Sequence, residues 1–329
     1  MNDFKALRVL EQGRFGKGSI VDTSLDELDP GDVVIKTSYA GVNYKDALAA
    51  MGAGPIIRRY PCIGGIEVVG EVTDCEGTRF KPGDRVIVHG RGLGVSHDGG
   101  FSEYVRVPED WVLELPEGLD MREAAALGVA GHTAAIAIDV MEHNGLMPAN
   151  GPVAVTGATG GVASLSINML SNLGYDVVAV SRKQDSHDYL KNLGAARVLA
   201  APDNNGDATI KPLEKGEWAG AVDSVGGPVL AWLLRSMMDS GVVASFGNAA
   251  GIDVQTTVLP FILRGVRLLG VNANTAMPYR RAIWQRLASD LKPSHVQDIA
   301  TWIEFGQLEQ AMQSLIQGTA RGRYVLDLT

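Results

Sequence analysis

The run Val153-Ala154-Val155-Thr156-Gly157-Ala158-Thr159-Gly160-Gly161-Val162-Ala163-Ser164 reads as a buried strand that turns through small residues into a helix. Within it, Ala158-x-Gly160-x-x-Ala163 has the spacing of a dinucleotide fingerprint in a Gly/Ala form. A small residue at Ala158 allows the sharp turn. Gly160 lets the backbone approach a pyrophosphate, and Ala163 lets the helix pack closely on the strand. The first helical turn, with Gly161, Val162 and Ser164, presents N–H groups and a positive dipole end to the phosphates. A Gly-rich turn in another α/β fold is the competing reading. The amphipathic face that follows (Val162, Leu165, Met169, Leu170, Leu173) argues against it. A second strand, Asp176 to Ser181, comes next and ends Val180-Ser181-Arg182-Lys183. A site for NAD would carry an acid there to hold the ribose 2′-hydroxyl. Here a hydroxyl is followed by two cations, which suits a 2′-phosphate and so NADPH; two solvated surface cations are the alternative.

A further constellation is Gly41-Val42-Asn43-Tyr44-Lys45-Asp46, with Tyr60-Pro61-Cys62-Ile63-Gly64-Gly65-Ile66-Glu67-Val68-Val69-Gly70 after it. The Tyr44 phenol is neutral near pH 7, so it can donate to an oxyanion or to a nicotinamide amide. It is the first candidate for a catalytic group, against a half-buried packing aromatic. Asp46 either orients water or tunes Tyr44, or it sits at N3 of a helix capped by Asn43; both readings stay open. Asn248 follows a strand that belongs to a parallel sheet. Ligands bind beyond the carboxyl ends of such strands, which makes Asn248 a candidate cofactor contact. Asp223, at a similar strand end, can instead cap the following turn. His89, His97 and Asp98 match no metal-ligand spacing, and no metal site is expected from them.

Composition narrows the classes. The chain has 329 residues, 46% hydrophobic and 20% charged, with a net charge of −9. It is a folded protein without the basic face that nucleic-acid binding requires. Cys62 and Cys75 cannot form a disulfide framework or a four-cysteine zinc site. The stretch opening Met1-Asn2-Asp3-Phe4-Lys5 has no apolar core of signal-peptide length. The apolar run Ala124 to Met141 is interrupted by His132 and Asp139 and falls short of an uninterrupted membrane span. These features predict a soluble, reduced, cytoplasmic protein with no membrane partner.

The elements that must position these residues fall into two patterns. Up to about residue 115 the chain predicts short strands with glycine turns: 33–37, 66–72, 85–88, 101–107 and 111–115. One helix is predicted among them, from Tyr44 to about Ala50. This is a mostly antiparallel β unit. Beyond residue 120, strands alternate with helices, which predicts a doubly wound parallel sheet. A strand at 268–271, helices at 282–291 and 308–316, and a last strand at 323–328 predict a return to the first unit. The expected boundaries are 1–124, 125–264 for the nucleotide domain, and 265–329.

The two constellations and the fingerprint together resemble the medium-chain dehydrogenase/reductase superfamily. In its zinc alcohol dehydrogenases a Cys ligand stands where Asn43 stands and a His ligand where Ile66 stands, so the resemblance is to the zinc-free, quinone-oxidoreductase-like branch. Asn43 to Leu48, Ile56-Ile57-Arg58, Val177 to Ser181, His187 to Lys191 and Leu259 to Arg264 narrow it to the acryloyl-CoA reductase group, over nearly the whole chain. Two departures are Ala163 in place of a more usual Gly and Gly64 in place of a Pro. The resemblance implies a Rossmann-type domain with a discontinuous GroES-like catalytic domain, and a homodimer. It also implies a basic residue beside the cofactor at Arg323, where an ordinary surface arginine is the alternative.

Without a zinc ligand set, hydride chemistry needs a substrate that delocalises the charge itself. Hydride added to the β-carbon of an α,β-unsaturated thioester moves charge to the carbonyl as an enolate, which the protein stabilises by hydrogen bonds. The expectation is NADPH-dependent reduction of an acyl-CoA thioester, most simply acryloyl-CoA to propionyl-CoA. The alternatives are an NADPH:quinone oxidoreductase and a non-catalytic nucleotide-sensing or RNA-binding protein on the same fold. CoA phosphates require local cations. Arg58, Arg59, Arg264, Arg267, Arg280 and Arg281 are available, and sequence alone assigns none of them.

Overall fold

The computed structural model describes residues 3–201 and 211–329. Met1 and Asn2, where the reading for a targeting segment begins, lie outside the described residues, as do 202–210 of the expected nucleotide domain. The chain divides into two units.

The first unit comprises Met1–Val129, Asn274–Ala288 and Val296–Thr329. Its long strand, Val33–Val42, shows the period-2 logic that builds it. Val33 and Ile35 face a cluster with Val68, Val72, Val86, Val88, Val105 and Val107. Val34, between them, faces Phe4, Ala6 and Ile63. A seven-stranded sheet runs Ala300–Ile303, Arg323–Asp327, Val33–Val42, Glu67–Asp74, Arg85–His89, Leu113–Glu114, and Tyr104–Val107 also pairs with Val33–Val42. All its pairs are antiparallel except Ala300–Ile303 with Arg323–Asp327. A hairpin of Phe4–Leu10 and Lys17–Thr23, with Cys62–Ile63, forms a three-stranded sheet; these first two strands add to those expected. Trp111 is not in a strand. Its N–H donates to the Pro108 carbonyl and that of Val112 to Glu109, which winds 109–111 into a 3₁₀ turn. The helix Tyr44–Ala50 has the expected bounds. The helix expected at 282–291 is Met277–Leu287, because Pro278 in its first turn favours an earlier start.

The second unit, Ala130–Ala273 with Ser289–His295, is a doubly wound sheet. Its strands lie in the order Arg197–Leu199, Val177–Val180, Val153–Thr156, Trp218–Asp223, Met237–Ser245, Arg267–Gly270. Every pair is parallel. In chain order this is 3-2-1-4-5-6, the dinucleotide-binding arrangement. The expected return at residue 265 is corrected. Arg267–Gly270 pairs with Met237–Ser245, so the sheet keeps the chain to Ala273, and its start moves from 125 to Ala130. Residues 289–295 also belong here, since the Asn168 amide donates to the Leu193 carbonyl and its oxygen accepts the His295 N–H.

Met121–His143 begins with reciprocal bonds between Asp120 and Glu123 and is interrupted at Gly128, whose φ of 48° and ψ of −149° are not helical. Among the described residues it is the one helix long and apolar enough to cross a bilayer, yet 89% of that window is buried within the protein. The run is thus more apolar than His132 and Asp139 implied, and its burial marks it as a core helix.

Candidate active site

Asn43 ends the strand Val33–Val42 and starts the helix at Tyr44. Its backbone N–H donates to Asp46 Oδ2 at 2.8 Å, the return half of a capping box. Its side-chain amide donates to the Gly41 carbonyl, to Asp46 Oδ2 and to Glu67 Oε1. Asp46 Oδ1 accepts the Ile66 N–H at 3.0 Å. Asp46 is 2% exposed and Tyr44 46%. The helix start therefore presents the phenol and buries the carboxylate. Asp46 holds the backbone on both sides of the site, which is the helix-start role, one of the two readings its sequence position leaves open. Burial pushes its carboxyl up to about 7, with a smaller contribution from the charge of Glu67, against the hydrogen bonds that lower it.

Glu67 is the residue that sequence reasoning missed. It is 4% exposed, and its carboxylate accepts from Asn43, from Arg323 and from the Val129 N–H. Arg323 is 3% exposed and also donates to the Leu127 carbonyl at 2.7 Å. Its two terminal nitrogens are therefore committed. In place of an arginine turned to the cofactor, or one on the surface, the structure shows an arginine buried in an ion pair. Together the pair takes up a carbonyl and an amide freed by the helix interruption at Gly128. A β-carbon at Gly128 would lie 2.1 Å from Glu67 Oε2, and one at Gly41 would lie 1.8 Å from Arg323 Nη2. Only glycine admits the charges this closely. The available signal was faint, because Glu67 is one of three acids in the strand Glu67–Asp74 and only its burial requires a paired charge.

The residues at the zinc-ligand positions do not fit a zinc. The Asn43 amide is engaged as a donor three times, and Ile66 offers no ligand atom. The Cys62 thiol is fully buried and burial pushes it up to about 12. Among the described residues no group of three His, Cys, Asp or Glu could hold a metal. His89 is buried, with Trp284 Nε1 3.0 Å from its Nε2. Asp98 accepts the backbone N–H groups of Asp29 and Ile63.

In the second unit, strand Val153–Thr156 leads to Gly160 as the N-cap of helix Gly161–Asn172, which has no side-chain cap. A β-carbon at Gly160 would meet only the Gly157 carbonyl, at 3.4 Å. The approach to the helix N-terminus is open, and this cradle fits a pyrophosphate. Gly160, Gly161 and Val162 are partly exposed there. Ala158, Ala163 and Ser164 are buried. Ser164 donates to the Ala158 carbonyl and accepts from Tyr189; this corrects its expected phosphate contact to a bond that shapes the turn. Arg182 is exposed. Ser181 is buried and its Oγ accepts the Lys183 N–H, which shapes the loop that carries both cations. Asp223 is buried and accepts from Thr156, Val225, Gly226 and Ser245, so it caps its turn. Asn248 is exposed, just past Met237–Ser245.

Asp46 sets a pH dependence. The folded protein holds its proton up to about pH 7, and the unfolded chain only up to about 4. Between those values the folded state binds the extra proton, so this carboxyl's contribution to stability falls as pH rises. Asp46→Asn removes the titration and should flatten the fall in urea midpoint between pH 4.5 and 7.5. It should also lower stability overall, because its NH₂ faces a backbone donor. Parallel pH profiles for the two proteins would refute the assignment.

Residues 29–117 match the alcohol dehydrogenase GroES-like domain and residues 161–289 the zinc-binding dehydrogenase family. The chain is 44% identical over 318 residues to a protein described as the probable acrylyl-CoA reductase AcuI of Escherichia coli, covering 96% of this chain and 97% of that one. It is 43% identical over 327 residues to the putative quinone oxidoreductase YhfP of Bacillus subtilis, covering 99% of each. The structure of yhfP with NAD bound has a TM-score of 0.94 and covers 100% of both chains. The yhdH oxidoreductase of Salmonella enterica in complex with NADP gives a TM-score of 0.94 at 41% identity, covering 99% of this chain and 100% of that one.

Proposed function

The chain belongs to the medium-chain dehydrogenase/reductase superfamily, in its acryloyl-CoA reductase group, and from that premise we propose that it uses NADPH to reduce the C=C bond of an α,β-unsaturated acyl-CoA thioester, acryloyl-CoA to propionyl-CoA. The observation that carries the reading is the commitment of Asn43. Its amide is spent on Gly41, Asp46 and Glu67 at a position where a zinc enzyme needs a thiolate. The chemistry is then zinc-independent and requires an alkene activated by its own carbonyl.

NADPH supplies the hydride when bound. The backbone at Gly160, Gly161 and Val162 holds its pyrophosphate, with Ala158 and Ala163 keeping the turn tight. Arg182 and Lys183, on the loop shaped by Ser181, take the 2′-phosphate, and Asn248 contacts the cofactor beyond the sheet. The Tyr44 hydroxyl donates to the thioester oxygen as charge develops there. Asp46 acts as a positioning residue that fixes the helix start, and Arg323 does so through Glu67. The α-carbon takes its proton from water. The buried, unpaired Cys62 and Cys75 suit a reducing compartment, which supports a cytoplasmic location.

The test is NADPH oxidation with acryloyl-CoA against a simple quinone. Acryloyl-CoA should be the better substrate, and Tyr44→Phe should lower its turnover by ~10²–10³ with little change in thermal unfolding. Faster turnover of the quinone would give the function to the quinone reductase alternative. Near-normal turnover by the Phe variant would remove Tyr44 from catalysis.

Nucleotide choice has its own measurement. Arg182→Ala with Lys183→Ala should weaken NADPH binding by about 2–4 kcal/mol and leave NADH binding nearly unchanged. Equal losses for both nucleotides would refute the 2′-phosphate site.

The homodimer reading is supported by the sheet edge. Arg267–Gly270 pairs on one side only among the described residues. Leu268, with Val258, Ile262 and Leu263 of the adjoining segment, is an exposed large hydrophobic. An open strand beside apolar side chains favours pairing with a second copy. Light scattering should give twice the 34.9 kDa chain mass, and Ile262→Lys with Leu268→Lys should halve it. An unchanged dimer would place the interface elsewhere.

A further inference from the structure

Most arginines that the sequence offers for a phosphate are already engaged. Arg59 pairs with Asp29. Arg264 donates to the carbonyls of Glu214, Arg235 and Met237, and Arg267 to those of Asn144 and Ser240. Arg280, 0% exposed, donates to the His89 carbonyl at 2.6 Å. Arg281 is different: it is exposed and lines a hollow of about 300 Å³ in the first unit with Arg79, Arg91, Asp110, Met277 and Pro278. That volume is at the lower end of small-molecule sites.

Arg91 is the unusual member of this group. It is a non-glycine residue at φ 57°, a left-handed conformation that a β-carbon disfavours. Asn274 Oδ1 accepts its backbone N–H at 3.2 Å and also lies 3.4 Å from Arg280 Nη2. Its Nε is buried with no hydrogen-bond partner. Arg79 is balanced by Glu109 and by the Val112 carbonyl. With Arg79 paired to Glu109 and Glu114, the hollow sets the two guanidinium groups of Arg91 and Arg281 against the carboxylate of Asp110. Met277 and Pro278 place it at the first turn of an 11-residue helix, whose N-terminal dipole has the same sign as the arginines. Burial first, and then the charge of Arg91, lower Arg280 to about 10. In a chain of net charge −9, such a concentration favours an anion, and planar guanidinium forks match phosphate oxygens.

We propose that this hollow holds a phosphate group at the nucleotide end of the CoA thioester, with Arg91 and Arg281 as donors and Arg79 at its rim. The inference rests on the acyl-CoA reading above. It assigns the distal end of that substrate to the first unit, the unit that carries Tyr44. Binding energy from this remote end raises affinity for the intact substrate and is not available to a quinone.

Calorimetry with adenosine 3′,5′-bisphosphate, the phosphorylated end of CoA, tests the site without turnover. The wild-type protein should bind it, and Arg281→Gln combined with Arg91→Asn should weaken it roughly 10- to 100-fold. Asn tolerates the left-handed backbone at position 91, and Arg281→Gln alone changes only an exposed side chain, so a partial loss there keeps the test independent of folding. In turnover assays the KM for acryloyl-CoA should rise by a similar factor. The kcat, the KM for acryloyl-pantetheine (which lacks the nucleotide) and the Kd for NADPH should stay unchanged. Unaltered bisphosphate binding by the double variant would overturn the proposal. So would a matching loss for NADPH, or inorganic phosphate binding as tightly as the bisphosphate, which would mark a free-anion site. Arginine-dependent bisphosphate binding without reduction of acryloyl-CoA would leave the hollow standing and refute the acyl-CoA reductase reading instead.

Discussion

A buried carboxylate must be satisfied on every side or it destabilises the fold that contains it, and Glu67 imposes that requirement on the first unit. Its surroundings come from three stretches of chain: Asn43 before the first helix with Gly41 making room, Val129 after the helix interruption with Gly128 making room, and Arg323 in the last strand. Replacing one partner leaves the others around an uncompensated charge. The same network fixes Asn43, and Asn43 with Asp46 fixes where the Tyr44 helix starts. The placement of one exposed phenol is thus inherited from an ion pair that need never touch the reactants.

The strand, turn and helix of the nucleotide half were legible because their signals are local. Strand, small-residue turn, helix and second strand follow one another within about thirty residues, and each has its own periodicity. The ion pair was not legible, because Glu67 and Arg323 are 256 positions apart and neither residue announces its partner. Arg323 had only its likeness to a family position, and its burial reverses the geometry expected of it. The end of the parallel sheet failed for a related reason. Arg267–Gly270 is a four-residue strand with exposed positions, and only its parallel pairing shows which unit owns it. Ser164 and Asp46 show a further limit. The spacing of Ser164 suggests a phosphate contact and that of Asp46 leaves chemistry and a helix cap equally open, and the hydrogen bonds show each shaping the backbone that others present.

By the family resemblance, Asn43 and Ile66 stand where zinc relatives carry ligands, and they fill those positions completely. A thiolate and an imidazole would leave a polar vacancy without their metal. An amide with three acceptors and an aliphatic side chain leave none, so the position is structurally complete. In the proposed reduction, a site without a metal would place the burden of charge stabilisation on the substrate's own conjugation and the Tyr44 hydroxyl. That division of labour favours acceptors whose charge spreads, and it leaves saturated alcohols without assistance.

Arg323–Asp327 lies inside the seven-stranded sheet, between Ala300–Ile303 and Val33–Val42. During synthesis the ribosome makes Val33–Val42 almost three hundred residues before this neighbour. Until then Tyr39–Val42 of that strand lacks its partner, while Val33–Lys36 can already pair with Tyr104–Val107, and Glu67 waits for its counter-ion. The strands of the parallel sheet are all available by Gly270. Assembly on the ribosome therefore has an enforced order, in which the nucleotide sheet can close while the unit translated first is still incomplete. Until the last strand arrives, the edge Tyr39–Val42 lacks the native partner that would guard it against wrong pairing.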